Sequence, residues 1–331
     1  MKHYSPEELD IKNGSESEQI RTRKIFDDLK ERALKGKILL EREKEFLCMG
    51  LNHTIHESDG RPEHFDFCND YIFRELYLTY FHNNLAGPFH KAKKGKIVEV
   101  SEIEQIKDFK RLQSISNQWL KQIEITNHKD QVLQELAIET RRDLKELDEK
   151  YPKLIRRFRA KQDKYRLQKD KIILQSKFLY HMIKSIKQDY DQSEFKIPFS
   201  GQLVELTDYS LVHISSRHYA EPIKDKPQKS FHYKNFYPKE LHIDLRNILT
   251  EIDKLGLIDL NQTDNIIFEF DEVVYHLWIQ KRTKQVKGQG NVKFNQIQSF
   301  YPIYDQEKLV EINEEYDKTK INDKLELYTK K

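Results

Sequence analysis

The sequence predicts an α+β chain: an elongated N-terminal helical region of helical-hairpin or coiled-coil character, then a small C-terminal domain of two helices and an antiparallel β-meander. Three observations predict it. Apolar residues recur near a 3.6-residue period through the first half, and Lys153 to Gln188 runs without Gly or Pro. Near Tyr190 the composition changes, as Pro198, Gly201 and Pro222 appear and β-branched runs begin. Beyond residue 260, short alternating runs are separated by turn residues.

Residues 1–17 are polar and read as a loose tail, and 18–192 as the helical region. Its first helix covers Ser17 to Glu45, with Ile20, Ile25, Phe26, Leu29, Leu34, Ile38 and Leu39 on one face. After the turn at Asp59-Gly60-Arg61-Pro62, a second helix spans Asp66 to His82, and Asn83 to Gly95 is a loop. Ser101 and Glu104 have capping-box spacing and open a helix to Ile125. Asn127 to Asp148 follows, and Pro152 suits the first position of the next helix. Leu154, Phe158, Leu167, Ile172, Ile173, Phe178 and Ile183 form a narrow stripe on that helix, as in a coiled coil.

The C-terminal domain is placed at 193–305. Helices are expected at Tyr209–Tyr219 and Pro238–Lys254, the latter stopped by Gly256. Asn265–Phe270 and Val273–Gln280 pair as a hairpin about Asp271-Glu272. After Gly288-Gln289-Gly290, a third strand runs from Asn291 to Tyr301, stopped by Pro302. Residues 306–331 read as a charged, partly helical tail.

Composition narrows the function classes. The 331 residues are 37% hydrophobic and 34% charged, yet 11% aromatic, which argues against disorder. Ten Gly and nine Pro are few for a glycine-fingerprint nucleotide fold. No apolar run of about 18 residues predicts a membrane span, and the opening MKHYSPEELD lacks an apolar signal core. Two Cys make no disulfide framework and fit a reducing cytoplasm. Net charge is only +3, but basic residues dominate Lys153–Lys171, and Lys281–Lys293 contains no acid. Such stretches suit a phosphate backbone, or a solvated helix face.

Three constellations could carry chemistry. In His213-Ile214-Ser215-Ser216-Arg217-His218, His213 and Arg217 are i,i+4 neighbours, and His218 joins them at the helix end. Two imidazoles can move the protons of RNA cleavage near neutral pH, and a guanidinium fork fits phosphate oxygens. From the residues alone, a surface helix with two incidental histidines is the simpler reading. Next come Trp278 and the basic run Lys281, Arg282, Thr283 and Lys284, extended by Lys287 and Lys293, with the strand bearing Ser299 and Tyr301. Ser299 and Tyr301 share a strand face and could hold phosphate, while an aromatic ring could stack on a base. The third set is Cys48, His53, His56, His64 and Cys68, which could hold Zn²⁺ but match no known finger spacing. The expectation is that no metal is bound there.

In this order, HISSRHY on a helix, KRTK on a hairpin and a closing QSFYP resemble the barnase–EndoU–colicin–RelE-like ribonucleases, over about residues 200–305. The resemblance implies His213, Arg217 and His218 as one catalytic element. Arg282, Thr283 or Lys284 supplies the mid-sheet cation, and Ser299 with Tyr301 makes the last element. It further implies cleavage of RNA by its own 2′-OH, without cofactor, leaving a 2′,3′-cyclic phosphate. Domains of this kind act as toxins or phage-borne effectors, and the helical region would then meet an immunity or antitoxin protein. The alternative is a non-catalytic RNA- or protein-binding adaptor built on the helical hairpin.

Overall fold

The computed structural model describes residues 3–10, 15–34, 37, 39–51, 70–77, 79–80, 89–93, 96–219, 230–232, 235–286, 288 and 290–331. The chain forms two compact units. One is Met1–Ile125 with Leu144–Ser185, the other Thr126–Asp143 with Ile186–Lys331.

The first unit contains helices α1 (Pro6–Leu9), α2 (Glu16–Leu34), α3 (Glu41–Leu51) and α4 (Tyr71–Tyr77), then strands β1 (His90–Lys93) and β2 (Lys96–Glu99) and helix α5 (Glu102–Glu124). Helices α6 (Gln131–Lys150) and α7 (Arg159–Asp189) divide between the units. Ser5 and Glu8 close a reciprocal capping box on α1, and the Ser101 side chain caps α5 by accepting from Glu104 N. Phe26, Leu29, Phe46 and Leu47 form one small core, and Phe73, Tyr77, Tyr80, Phe89, Leu174 and Phe178 a second. Tyr77 stacks on Phe178 with centroids 5.1 Å apart.

This corrects the hairpin-like expectation for the region. The loop expected at 83–95 ends in strand, with His90–Lys93 pairing antiparallel to Lys96–Glu99. Helix α7 carries no narrow stripe: Ile172, Ile173, Leu174, Phe178, Leu179, Met182 and Ile183 are all buried, so several of its sides are packed. Leu154 and Phe158, assigned to that stripe, are 66% and 69% exposed. They lie before α7, where a 3₁₀ turn at Ile155–Arg157 breaks the periodicity.

The second unit overturns the expected two helices and meander. Its centre is one seven-stranded mixed sheet of order β3-β4-β7-β6-β5-β9-β8. The strands are β3 (Lys196–Phe199), β4 (Gln202–Glu205), β5 (Asn265–Phe270), β6 (Val273–Val286), β7 (Gly290–Pro302), β8 (Tyr316–Lys320) and β9 (Leu325–Lys330). Helices α8 (Asp208–His218), α9 (Leu241–Asp253) and α10 (Gln306–Glu315) complete it. The supposed charged tail supplies α10, β8 and β9, and β9 pairs with β5. Strand β4 runs parallel to β7, a pairing that a meander cannot contain. The extra strands have only four to six residues, and charged side chains and Pro198 mark β3 and β8 as edges.

The β6–β7 hairpin is also longer than the sequence suggests, so Lys281 to Lys284 lie within β6 rather than in a loop after it. Residues 273, 275, 277 and 279 face a core with Phe268 and Phe300, while His276, Gln280 and Lys284 are half-buried and Trp278 and Arg282 exposed. A register shift at Trp278/Ile279 leaves Gln298 as the extra residue of a bulge. Asp271 and Glu272, both at positive φ, make the tight turn expected between β5 and β6. Among the described residues, no helix is long and apolar enough to cross a membrane.

Candidate functional site

Strand β4 pairs with β7 only at Asn295 and Gln296, which leaves the rest of that side of β7 open beside α8. Thr207 and Ser210 form a capping box that starts α8, and the Ser210 hydroxyl also donates to the Ile297 carbonyl at 2.5 Å. His232 Nε2 donates to the Phe300 carbonyl at 3.1 Å. Side chains thus take up acceptors that a neighbouring strand would otherwise use.

Helix α8 ends in His218, only 8% exposed. Its Nδ1 lies 3.2 Å from the Ser230 carbonyl, which can only accept, so Nδ1 carries the proton. Nε2 is then bare and accepts from Ser299 Oγ at 2.9 Å. The ring stacks on Tyr301 at 4.9 Å and meets the His213 ring at 5.8 Å. Burial, helped by the nearby His232 and His213, lowers the His218 pKa to about 3, so the ring is neutral at ordinary pH. Tyr301 in turn meets His276 Nδ1 at 2.7 Å, and His276 Nε2 meets Asn265 Oδ1 at 2.7 Å.

His213 stacks flat on Tyr209 at 5.6 Å, and its Nδ1 lies 3.9 Å from Glu139 Oε1 of α6. That is ion-pair distance, too long for a hydrogen bond. Arg217 faces the same helix. Its Nε and Nη2 donate to Glu139 at 2.9 and 2.6 Å, and Nη2 also reaches Asp143 at 2.7 Å. Burial opposes ionisation of Glu139, but His213 and Arg217 outweigh it and hold the carboxyl at about 2. Asp143 goes the other way: burial, with the Glu139 charge beside it, exceeds the pull of Arg217 and raises it to about 6. The Arg217 guanidinium thus joins a carboxylate held charged to a second that keeps its proton up to about pH 6. With its fork occupied and its side chain 10% exposed, Arg217 is not placed to receive a phosphate.

On the half-open sheet face, the register sets Ser299 opposite Trp278 and Tyr301 opposite His276. Arg282 lies two positions beyond Gln280 on the same face, and its Nη2 reaches Gln298 Oε1 at 3.3 Å. Burial and the Glu139 charge raise the Tyr209 hydroxyl, and the Arg282 charge counters them, so Arg282 is felt beside the His213 stack. Lys284 is held by Glu205 at 2.7 and 2.9 Å and lies over Phe294 at 4.4 Å. Thr283 is exposed on the opposite face, across from Lys293, and Lys281 on that face donates to Asn261 at 3.0 Å. Trp278, 37% exposed, donates from Nε1 to Asp264 at 3.2 Å.

The structure therefore gathers His213, His218, Ser299 and Tyr301, with Arg282 further along the same sheet face. Arg217 faces carboxylates, Lys284 is tied down, and Thr283 points elsewhere. Sequence reasoning missed Tyr209, His276, Glu139 and Asp143. The signal for the last two was the i,i+4 series Glu135, Glu139, Asp143 on α6, four residues apart and thus on one helix face. Lys287, His53, His56, His64 and Cys68 lie outside the described residues, as does the Cys48 side chain on α3. Among the described residues, no three His, Cys, Asp or Glu side chains cluster to hold a metal. No protein-family model, curated protein or solved structure matches the chain.

Proposed function

We propose that the chain is a metal-independent endoribonuclease, cutting RNA by attack of a 2′-OH on the adjacent phosphorus and leaving a 2′,3′-cyclic phosphate. The observation that carries this reading is the meeting of the His213 and His218 rings, 5.8 Å apart, beside Ser299 and on the side of the sheet that bears Arg282. His218, neutral and bare at Nε2, accepts the 2′-OH proton through or in place of Ser299. His213, with the Glu139 carboxylate as charge partner, donates a proton to the 5′-oxygen as its bond to phosphorus breaks. Arg282, on the same sheet face, replaces Arg217 as the cation that faces the RNA backbone, and Tyr301 positions the His218 ring by stacking. The setting as a toxin or phage-borne effector, neutralised by a protein partner on the helical region, follows from the sequence resemblance alone.

A second reading, RNA binding without cleavage, is favoured by one observation: His218 is buried and both its ring nitrogens are already occupied. Incubating the purified chain with total RNA in EDTA separates the two. The expected result is fragments with 2′,3′-cyclic phosphate ends. RNA that is retained but intact supports the second reading and overturns the first.

A further inference from the structure

The far end of the β6–β7 hairpin differs from the rest of the sheet. Strand β5 accompanies β6 only as far as Trp278, and β4 accompanies β7 only at Asn295 and Gln296. From Lys281 to Val286, and back from Gly290 to Phe294, the described residues offer each strand no partner but the other. This two-stranded ribbon is about 20 Å long at a rise of about 3.3 Å per residue. Toward its end, Gly288 and Gly290 have φ of +85° and +74°, and a Cβ on either would meet none of the described atoms within 4 Å.

Ordinary hairpins alternate apolar and polar, because one face packs on a core. Here Lys281, Arg282, Thr283, Gln285, Asn291 and Lys293 are all exposed, so both faces are polar. No acid occurs between Glu272 and Asp305, in a chain with 55 acidic residues. Arg282 lies on one face, Lys281 and Lys293 on the other, and no carboxylate pairs with these three among the described residues. Phe294, the ribbon's one aromatic ring, is covered by Lys284 and offers no platform for stacking a base.

We infer that this ribbon is an arm that lies in the groove of double-helical RNA. The inference rests on the RNA reading of the sheet face for the chemistry of its partner. A single strand passes one face of a ribbon, whereas a duplex groove has a phosphate wall on each side, matching cations that point both ways. Thr283, Gln285 and Asn291 are uncharged groups able to meet the 2′-hydroxyls shown in the wide, shallow minor groove of A-form RNA. Trp278 and the histidine pair then stand at the arm's base, where a strand leaving the stem would arrive. The substrate class is a stem with an adjoining single-stranded segment.

Fluorescence anisotropy of the full chain tests this with an RNA duplex of about 16 base pairs, one of its strands alone, and a DNA duplex of the same sequence. Affinities are taken between about 50 and 200 mM salt, with RNA integrity checked on a gel. The RNA duplex is expected to bind tightest. Lys281→Gln with Lys293→Gln should lower the log–log salt slope by about 1.8, and Arg282→Gln, on the other face, by about 0.9. Equal or better binding of the single strand or the DNA duplex overturns the inference. So does an unchanged slope in either variant, because both walls of the groove must be felt. Binding and cutting are read separately: a chain that holds the duplex this way without cleaving it removes the proposed activity and leaves the arm standing.

Discussion

Arg217 and Arg282 sit in the same unit and both belong to basic motifs, yet their surroundings are opposite. Arg217 lies under α6, its fork shared by Glu139 and Asp143. Arg282 is exposed on a hairpin whose sequence carries no acid from Val273 to Tyr304, and its fork meets the Gln298 amide. The first cation is part of what holds α8 to α6, and the second is left for a ligand. A guanidinium in a motif acquires its role from the carboxylates the fold brings to it, and those can come from 74 and 78 residues away.

The widest test of this contrast is catalytic. Replacing His213 or His218 with Gln, with folding checked by circular dichroism, should lower RNA cleavage by about 10²–10⁴-fold each. Near-normal cleavage in both folded variants removes the active-site reading. Next is stability. Arg217→Ala leaves buried Asp143 without its ion-pair partner and Glu139 with Arg142 alone, and should cost about 3–5 kcal/mol in urea unfolding. Arg282→Ala, on the exposed face, should stay within about 0.5 kcal/mol of the parent chain. Comparable losses for the two would erase the distinction drawn between them.

A pH series sharpens it further. Unfolded, Asp143 ionises near 3.8, whereas in the fold it holds its proton to about 6. Between those values the folded chain keeps a proton the unfolded chain has lost, so this group's contribution to stability falls as pH rises through the window. His218 has the opposite sign, contributing above 6.5 and losing that contribution as pH falls toward about 3. The difference between the parent chain and Asp143→Asn cancels the histidine part. It should change by on the order of 1–3 kcal/mol from pH 4 to 6. A flat difference means that Asp143 is ionised throughout. The smallest effect is expected at the half-exposed Lys284–Glu205 pair, where Lys284→Gln should cost less than about 1 kcal/mol.

What could be read in the sequence was what local chemistry determines. The capping residue Ser101 and the Asp271-Glu272 turn act within four residues, and α5, α8, α9 and β5 appear close to where periodicity puts them. The pairing of Ser299 and Tyr301 on one face was legible from the two-residue repeat. The four-residue strands β3 and β4 were not, because a run as short as Lys196–Phe199 is specified by the neighbour it pairs with. Tyr316 to Lys320 reads as a solvated tail until Leu325, Leu327 and Tyr328 anchor its partner strand beside β5. In the site, His213 and His218 were visible as types. The closing of Arg217 depends on Glu139 and Asp143 of α6, and the neutrality of His218 on burial beside His232, neither of which a pattern within α8 announces.

The parallel contact of β4 with β7 has a kinetic consequence. Asn295 reaches back to the Leu203 carbonyl across 92 residues, while β5, β6 and β7 follow one another through short turns. Joining near neighbours costs little chain entropy, and closing the long span costs more, so the three-stranded hairpin core should assemble before β3 and β4 dock. Helix α8, whose Thr207 cap bonds Gln296 at 2.8 Å, must arrive with them. His218 therefore meets Ser299 only in the last stage of folding. Refolding of a Trp119→Phe chain, followed by Trp278 fluorescence, should run ahead of the recovery of activity, with a lag set by the closure of that span.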